Sequence, residues 1–170
     1  MIRSFYGMNP VIHPTAFVSE AAYVIGDVEV GEGSSIWPGV VIRGDTGKIK
    51  IGKFTNIQDN SVVHGDADVY IGDYVVVGHR VMCHGRNIGD RVLIGNGAVI
   101  NDGVLVGNNS ILGSSTMVIE NMEIPHHSIV MGIPGRIKGT VKQRHMDLTR
   151  EIAKIYKIKA QKYKAQGDLE

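Results

Sequence analysis

Seven histidines occur in the chain, and three of them cluster: His64 in NSVVHGD, then His79 and His84 in VVVGHRVMCHG. Neutral imidazoles are common donors to zinc, and a site with three of them keeps a fourth tetrahedral position open for water or substrate. Such a site retains the full charge of the metal and lowers the pKa of a bound water to about 7. The chemistry these three suggest is therefore attack by a metal-bound hydroxide. His13, His126, His127 and His145 stand apart and read as solvated turn residues. Cys83, the one cysteine, has no partner for an internal disulfide, and beside His84 it reads as a small packed side chain.

The elements that must position these histidines are written in a six-residue period. Val and Ile supply 42 residues against five Leu, and there are 22 Gly. β-Branched side chains pack well on pleated strands and glycine supplies the positive φ of tight turns. Stepping by six from Ile88 gives Ile94, Ile100, Val106, Leu112, Val118, Ile124 and Val130. Stepping from Ile12 gives Val18, Val24, Val30, Ile36 and Ile42, after which the phase slips by three to Ile51, Ile57 and Val63, and by two to Ile71 and Val77. Four positions after each aliphatic the side chain is small or β-branched, as at Ala16, Val28, Ser34, Ala98 and Thr116. Six residues are too few for a helical repeat but suffice for a short strand and a turn, so stacked rungs sharing one aliphatic core are expected.

This pattern resembles the hexapeptide-repeat superfamily, which implies an all-β fold: a left-handed parallel β-helix of about seven coils, each built from three hexapeptides. The repeats end near GIPGRIKG, at 132–139. The expected division is a β-helix over residues 1–137 and a C-terminal amphipathic helix over 138–170, packed on the prism through Val141, Leu148, Ile152, Ile155 and Tyr163.

Bulk charge excludes partners. With 18 Lys+Arg against 17 Asp+Glu the formal charge is +1, which gives no chain-wide footprint for nucleic acid. Residues 138–170 carry nine of the basic and four of the acidic side chains, and this basic helical face reads as solvated. No apolar run approaches the ~20 residues of a membrane span. The first residues, MIRSFYGMNP, lack the apolar core of a secretion signal, so a cytoplasmic location with neither membrane nor nucleic-acid partner is expected. The sequon at Asn108 is then expected to stay unmodified.

Repeat phase also constrains the histidines. If three repeats make one coil, His64 and His84 fall on equivalent places of successive rungs, about 4.8 Å apart, close enough to share a metal. Met82 also lies six before Ile88, which leaves the place of His84 open by one residue. His79 sits one repeat earlier, near another part of the triangular cross-section. A neighbouring prism would then supply the third imidazole, and a homotrimer would hold three equivalent sites.

The segments VIRGD at 41–45, IGKFTNIQDNSVVHGD at 51–66 and IGDYVVVGHRVMCHG at 71–85 resemble the signature of the γ-class carbonic anhydrases. The resemblance implies a metal held by His64 and His84 of one chain and His79 of the next. It implies zinc, with ferrous iron or cobalt also suited to a three-imidazole site. It places Arg43 and Asp45 near the subunit interface with Asp59 as an ion-pair partner, Gln58 close to the metal-bound water, and Asn56 orienting its neighbours. The implied activity is reversible hydration of carbon dioxide to bicarbonate. Thr46 and Ala67 stand where active members carry proton-shuttling glutamates, with Asp66 and Asp68 the nearest carboxylates. Two other classes compete: an acyl-CoA thioesterase or acetyltransferase on the same repeat, and a trimeric assembly subunit whose metal only ties chains together. The RGD at 43–45 reads as an interface ion pair.

Overall fold

Each hexapeptide forms a two-residue strand and a turn, as in Ser35–Ile36, Asn56–Ile57, Val76–Val77, Leu93–Ile94 and Ile111–Leu112. The second residue of each pair points inward, and Ile36, Ile57, Val77, Ile94 and Leu112 are all fully buried. The small residues two positions earlier, such as Ser34, Val92, Ala98, Ser110 and Thr116, are buried beside them. Stacked aliphatics from every coil form one continuous core, in which each Val or Ile contributes roughly 1.5–3 kcal/mol of burial. The computed structural model describes residues 1–167; the end of the expected tail, 168–170, lies outside the described residues.

The strands stack in parallel on three faces of a prism of about seven turns. A first face carries Val62–His64, Met82–Cys83, Val99–Ile100 and Met117–Val118. A second carries Val69–Ile71, Asn87–Ile88, Leu105–Val106 and Glu123–Ile124. Two longer strands, Tyr23–Val30 and Val41–Ile51, run around the edge from the first face to the second. The third face begins with Phe17–Val18 and ends with Ser128–Met131, to which Arg136–Thr140 adds an exposed antiparallel strand. That strand overlaps the second half of the segment in which the repeats were expected to end.

Register locates the irregularities. On the first face Val24 pairs with Ile42, Ile42 with Val63, Val63 with Cys83, and Cys83 with Ile100. The pairing of Met82 with Val62 settles the open phase and sets His84 beside His64. It also reveals a coil shortened by one residue after Cys83, a break the sequence pattern hid because both Met82 and Cys83 are apolar. All three departures from the hexapeptide, after Ile42, Val63 and Cys83, fall on the single edge between the first and second faces. The other two edges keep the six-residue step.

The turns follow the expected glycine chemistry in part: Gly33, Gly39, Gly97 and Gly103 take positive φ, and other residues do so as well. Left-handed φ falls at Asn60, Arg80 and Ser115 on one edge and at Phe54, Tyr74, Arg91, Asn109 and His127 on another. Gly78 instead serves close approach: a Cβ there would lie 2.5 Å from Asn96 Oδ1.

The C-terminal helix, Gln143–Gln166, lies against the N-terminal strands of the third face. Its buried residues are Thr149, Ala153 and Ala160, while Leu148 and Ile155, expected to face the prism, are exposed. Small side chains let the helix approach a sheet surface already occupied by Trp37, whose ring packs against Phe17, Tyr156 and Tyr163. Among the described residues no helix is long and apolar enough to cross a membrane.

Candidate metal centre

His64 ends its strand one residue after the inward-facing Val63, so alternation turns it outward at the irregular edge. His84 follows the inward Cys83 in the same way, and its N–H donates to Ile100 O at 2.9 Å. The two rings sit 4.9 Å apart between centroids, with His64 Nδ1 and His84 Nε2 separated by 2.8 Å. Their outer nitrogens meet carboxylates. His64 Nε2 is 3.2 Å from Asp45 Oδ1, and His84 Nδ1 contacts Asp102 Oδ1. Asp66 offers a carboxylate oxygen within 4.8 Å of both imidazoles, completing the one cluster of potential metal ligands among the described residues.

Asp45 is itself held by Arg43, whose Nη1 donates to Asp45 Oδ2 at 2.5 Å. The Arg43 guanidinium keeps the Asp45 carboxyl below the usual carboxylate range, desolvation opposes that shift, and the His64 contact adds to it. Cys83 points the other way, into the core, where burial pushes its thiol up to about 11. It is a packed side chain and not a fourth ligand.

The other candidates gather on a different edge, between the third and first faces. His79 lies in the turn after Val76–Val77, with Nδ1 3.0 Å from Asp59 Oδ2 and no protein partner at Nε2 among the described residues. Gln58 is buried and donates through Nε2 to Asn56 Oδ1 at 2.9 Å, and Asn56 donates to Val75 O at 3.4 Å. Within one chain Asp59 pairs with His79, and Arg43 pairs with Asp45 on the opposite border of the first face. The C-terminal helix backs this second edge: burial first, and then the charge of Asp59, raises the Tyr156 hydroxyl. The eight sequence candidates thus divide into Arg43, Asp45, His64 and His84 on one edge, and Asn56, Gln58, Asp59 and His79 on the other.

Between the two edges the outward row of the first face reads Tyr23, Val41, Val62, Met82, Val99 and Met117, an unbroken apolar stripe. The matching row of the second face is mixed, with Glu29, Lys50, Tyr70, Asn87 and Glu123.

Sequence reasoning did not assign Asp66 and Asp102. Asp66 had been noted only as a nearby carboxylate. Asp102 lies one residue past the place that the shortened coil sets over His84, so the repeat phase did not single it out.

Comparison with known proteins finds relatives among hexapeptide-repeat proteins and carbonic anhydrases. The family model "Bacterial transferase hexapeptide (six repeats)" matches residues 9–44 and 87–120. A Methanocaldococcus jannaschii protein described as "Probable carbonic anhydrase" is 48% identical over 82% of this chain and 89% of its own length. "Gamma carbonic anhydrase 1, mitochondrial" of Arabidopsis thaliana is 36% identical over 98% of this chain, which spans 63% of that protein. Among solved structures, a hexapeptide transferase family protein from Anaplasma phagocytophilum superposes with a TM-score of 0.92 at 30% identity, covering 95% of this chain and 97% of that one.

Proposed function

The chain belongs to the γ-class carbonic anhydrase family of hexapeptide-repeat proteins, and from that premise we propose that it hydrates carbon dioxide reversibly at a metal centre shared between subunits of a homotrimer. The observation that carries this reading is the division of the candidates between two edges that border one apolar face. Three copies packed around a threefold axis with that face inward would bring the His64 and His84 edge of each against His79 of the partner subunit.

The donor set fits a divalent metal. Two imidazole nitrogens 2.8 Å apart lie within about half an ångström of the ~3.3 Å that two ligands of tetrahedral zinc require. Both rings are backed by carboxylates, as metal-binding histidines usually are. Bound there by His64, His84 and His79 of the partner subunit, zinc or ferrous iron would supply the Lewis acidity that makes water nucleophilic near neutral pH. The rest falls to the side chains. Arg43 fixes Asp45, and Asp45 fixes His64. Gln58, held by Asn56, would border the space opposite the pair once two edges meet. Asp66 is an exposed carboxylate within 4.8 Å of both imidazoles, where shuttle glutamates are absent.

Carbon dioxide hydration by metal-verified protein, prepared aerobically with zinc and anaerobically with ferrous iron, tests the proposal. Catalysis in either form that disappears in His64→Ala is the expected result. Inactivity of both forms would overturn it. The likeness to the Anaplasma transferase-family protein sustains one competing reading, an acyl-CoA-using enzyme. Acyl-CoA hydrolysis or acyl transfer by the protein that fails to hydrate carbon dioxide would establish that reading instead.

A further inference from the structure

Asp102 backs one ring of the centre described above, and its carboxylate has a single side-chain partner among the described residues, Nδ1 of His84. No Lys or Arg pairs with it, in contrast to Asp45, which Arg43 anchors. Its side chain is 53% exposed, so water could solvate it; the carboxylate is nonetheless turned onto the imidazole. The turn that carries it is held without that side chain. Asn121 N donates to Asp102 O at 2.8 Å, and Asn101 Nδ2 donates to Val118 O at 2.8 Å.

We propose that Asp102 is a positioning residue for the metal centre, holding His84 with its proton on Nδ1 so that Nε2 is presented as the donor. The inference rests on the metal-site reading above. A neutral imidazole carries one N–H, and an anionic acceptor on one nitrogen fixes which nitrogen keeps it and makes the other a stronger donor. His84 Nε2 is the atom that faces His64 Nδ1. Asp102 thereby does for His84 what Asp45 does for His64, from the next coil along the stack.

The test compares the parent trimer with Asp102→Ala and Asp102→Asn. Zinc affinity is measured by chelator competition, and the side-chain nitrogens of His84 in the zinc form are followed by ¹⁵N NMR. Asp102→Ala should bind zinc about 10- to 100-fold more weakly. Its His84 Nδ1–H signal, protected in the parent, should be lost to exchange with water. Asp102→Asn keeps an acceptor oxygen without the charge, so its affinity should fall between the two. Unchanged affinity in a folded Asp102→Ala trimer, or coordination through Nδ1, would overturn this inference while leaving the metal site standing. A parent that binds no zinc or ferrous iron would overturn the metal-site reading and this inference with it. Should Asp102→Ala fail to fold, the affinity and Nδ1–H signal of Asp102→Asn decide.

Discussion

The two edges that border the first face are built from the same repeat and carry four candidate residues each, but they are constructed differently. At the edge of His79, Asp59 and Gln58 every step is six residues, and the functional groups occupy ordinary turn positions. At the edge of His64 and His84 the step becomes nine, eight and five residues on successive coils. The extra chain brings Asp45 and Asp66 to the imidazoles, and the shortened coil returns the stack to register beyond them. A regular corner suffices to place one imidazole, that of His79. Gathering two imidazoles and their carboxylates within one chain required breaking the repeat.

Removing a ligand tests this contrast most severely. His64→Ala should lower metal affinity by about 100-fold or more, measured by chelator competition, since one of three donors and the ring facing His84 are lost together. Backbone crowding separates the edges next. A Cβ at Gly47 would lie 2.3 Å from the Ala67 backbone, so Gly47→Ala must displace the segment carrying Asp66. Each of Gly47→Ala and Gly78→Ala should cost about 1–3 kcal/mol of stability by denaturant unfolding. Only Gly47→Ala should also disturb the His64–His84 pair, because Gly78 lies next to His79 on the regular edge. Equal loss of His64–His84 geometry in both variants, seen by histidine NMR, would erase the distinction.

The smallest effect is electrostatic. Because the folded-state pKa of Asp45 is lowered, chiefly by Arg43, its contribution to stability is present above the ordinary carboxylate value near 3.9 and is lost as pH falls through the lowered one. Asp45→Asn should therefore cost about 0.2–1 kcal/mol at neutral pH, the range of screened ion pairs, since Arg43 is 46% exposed. The difference from the parent should vanish in acid, as followed by thermal melts across pH 2–7.

Much of this was legible in the sequence. The inward aliphatics and their small companions repeat strictly, and the slips after Ile42 and Val63 were countable, so the stacking of His64 under His84 followed from phase. The five-residue step after Cys83 was not countable, because Met82 continues the apolar register as well as Cys83 does. The prism-facing stripe of the helix is not the one of Leu148 and Ile155: hydrophobicity ranks them above Thr149, Ala153 and Ala160, but the face that meets the prism carries those three small residues together with Tyr156 and Tyr163, which pack on Trp37. The contact of Asp59 with His79 inside one chain depends on both lying along the same edge, which a family motif does not state.

The claim that two edges from different copies make one centre is tested most directly by mixing subunits. His64→Ala and His79→Ala chains, each deficient alone, are refolded together in equal amounts, mixed trimers are confirmed by native mass spectrometry, and bound metal is counted. About one site in each mixed trimer, or a quarter of all sites after random mixing, should regain full affinity, pairing an intact His64 edge with an intact His79 edge. Confirmed mixed trimers that regain none would contradict the account.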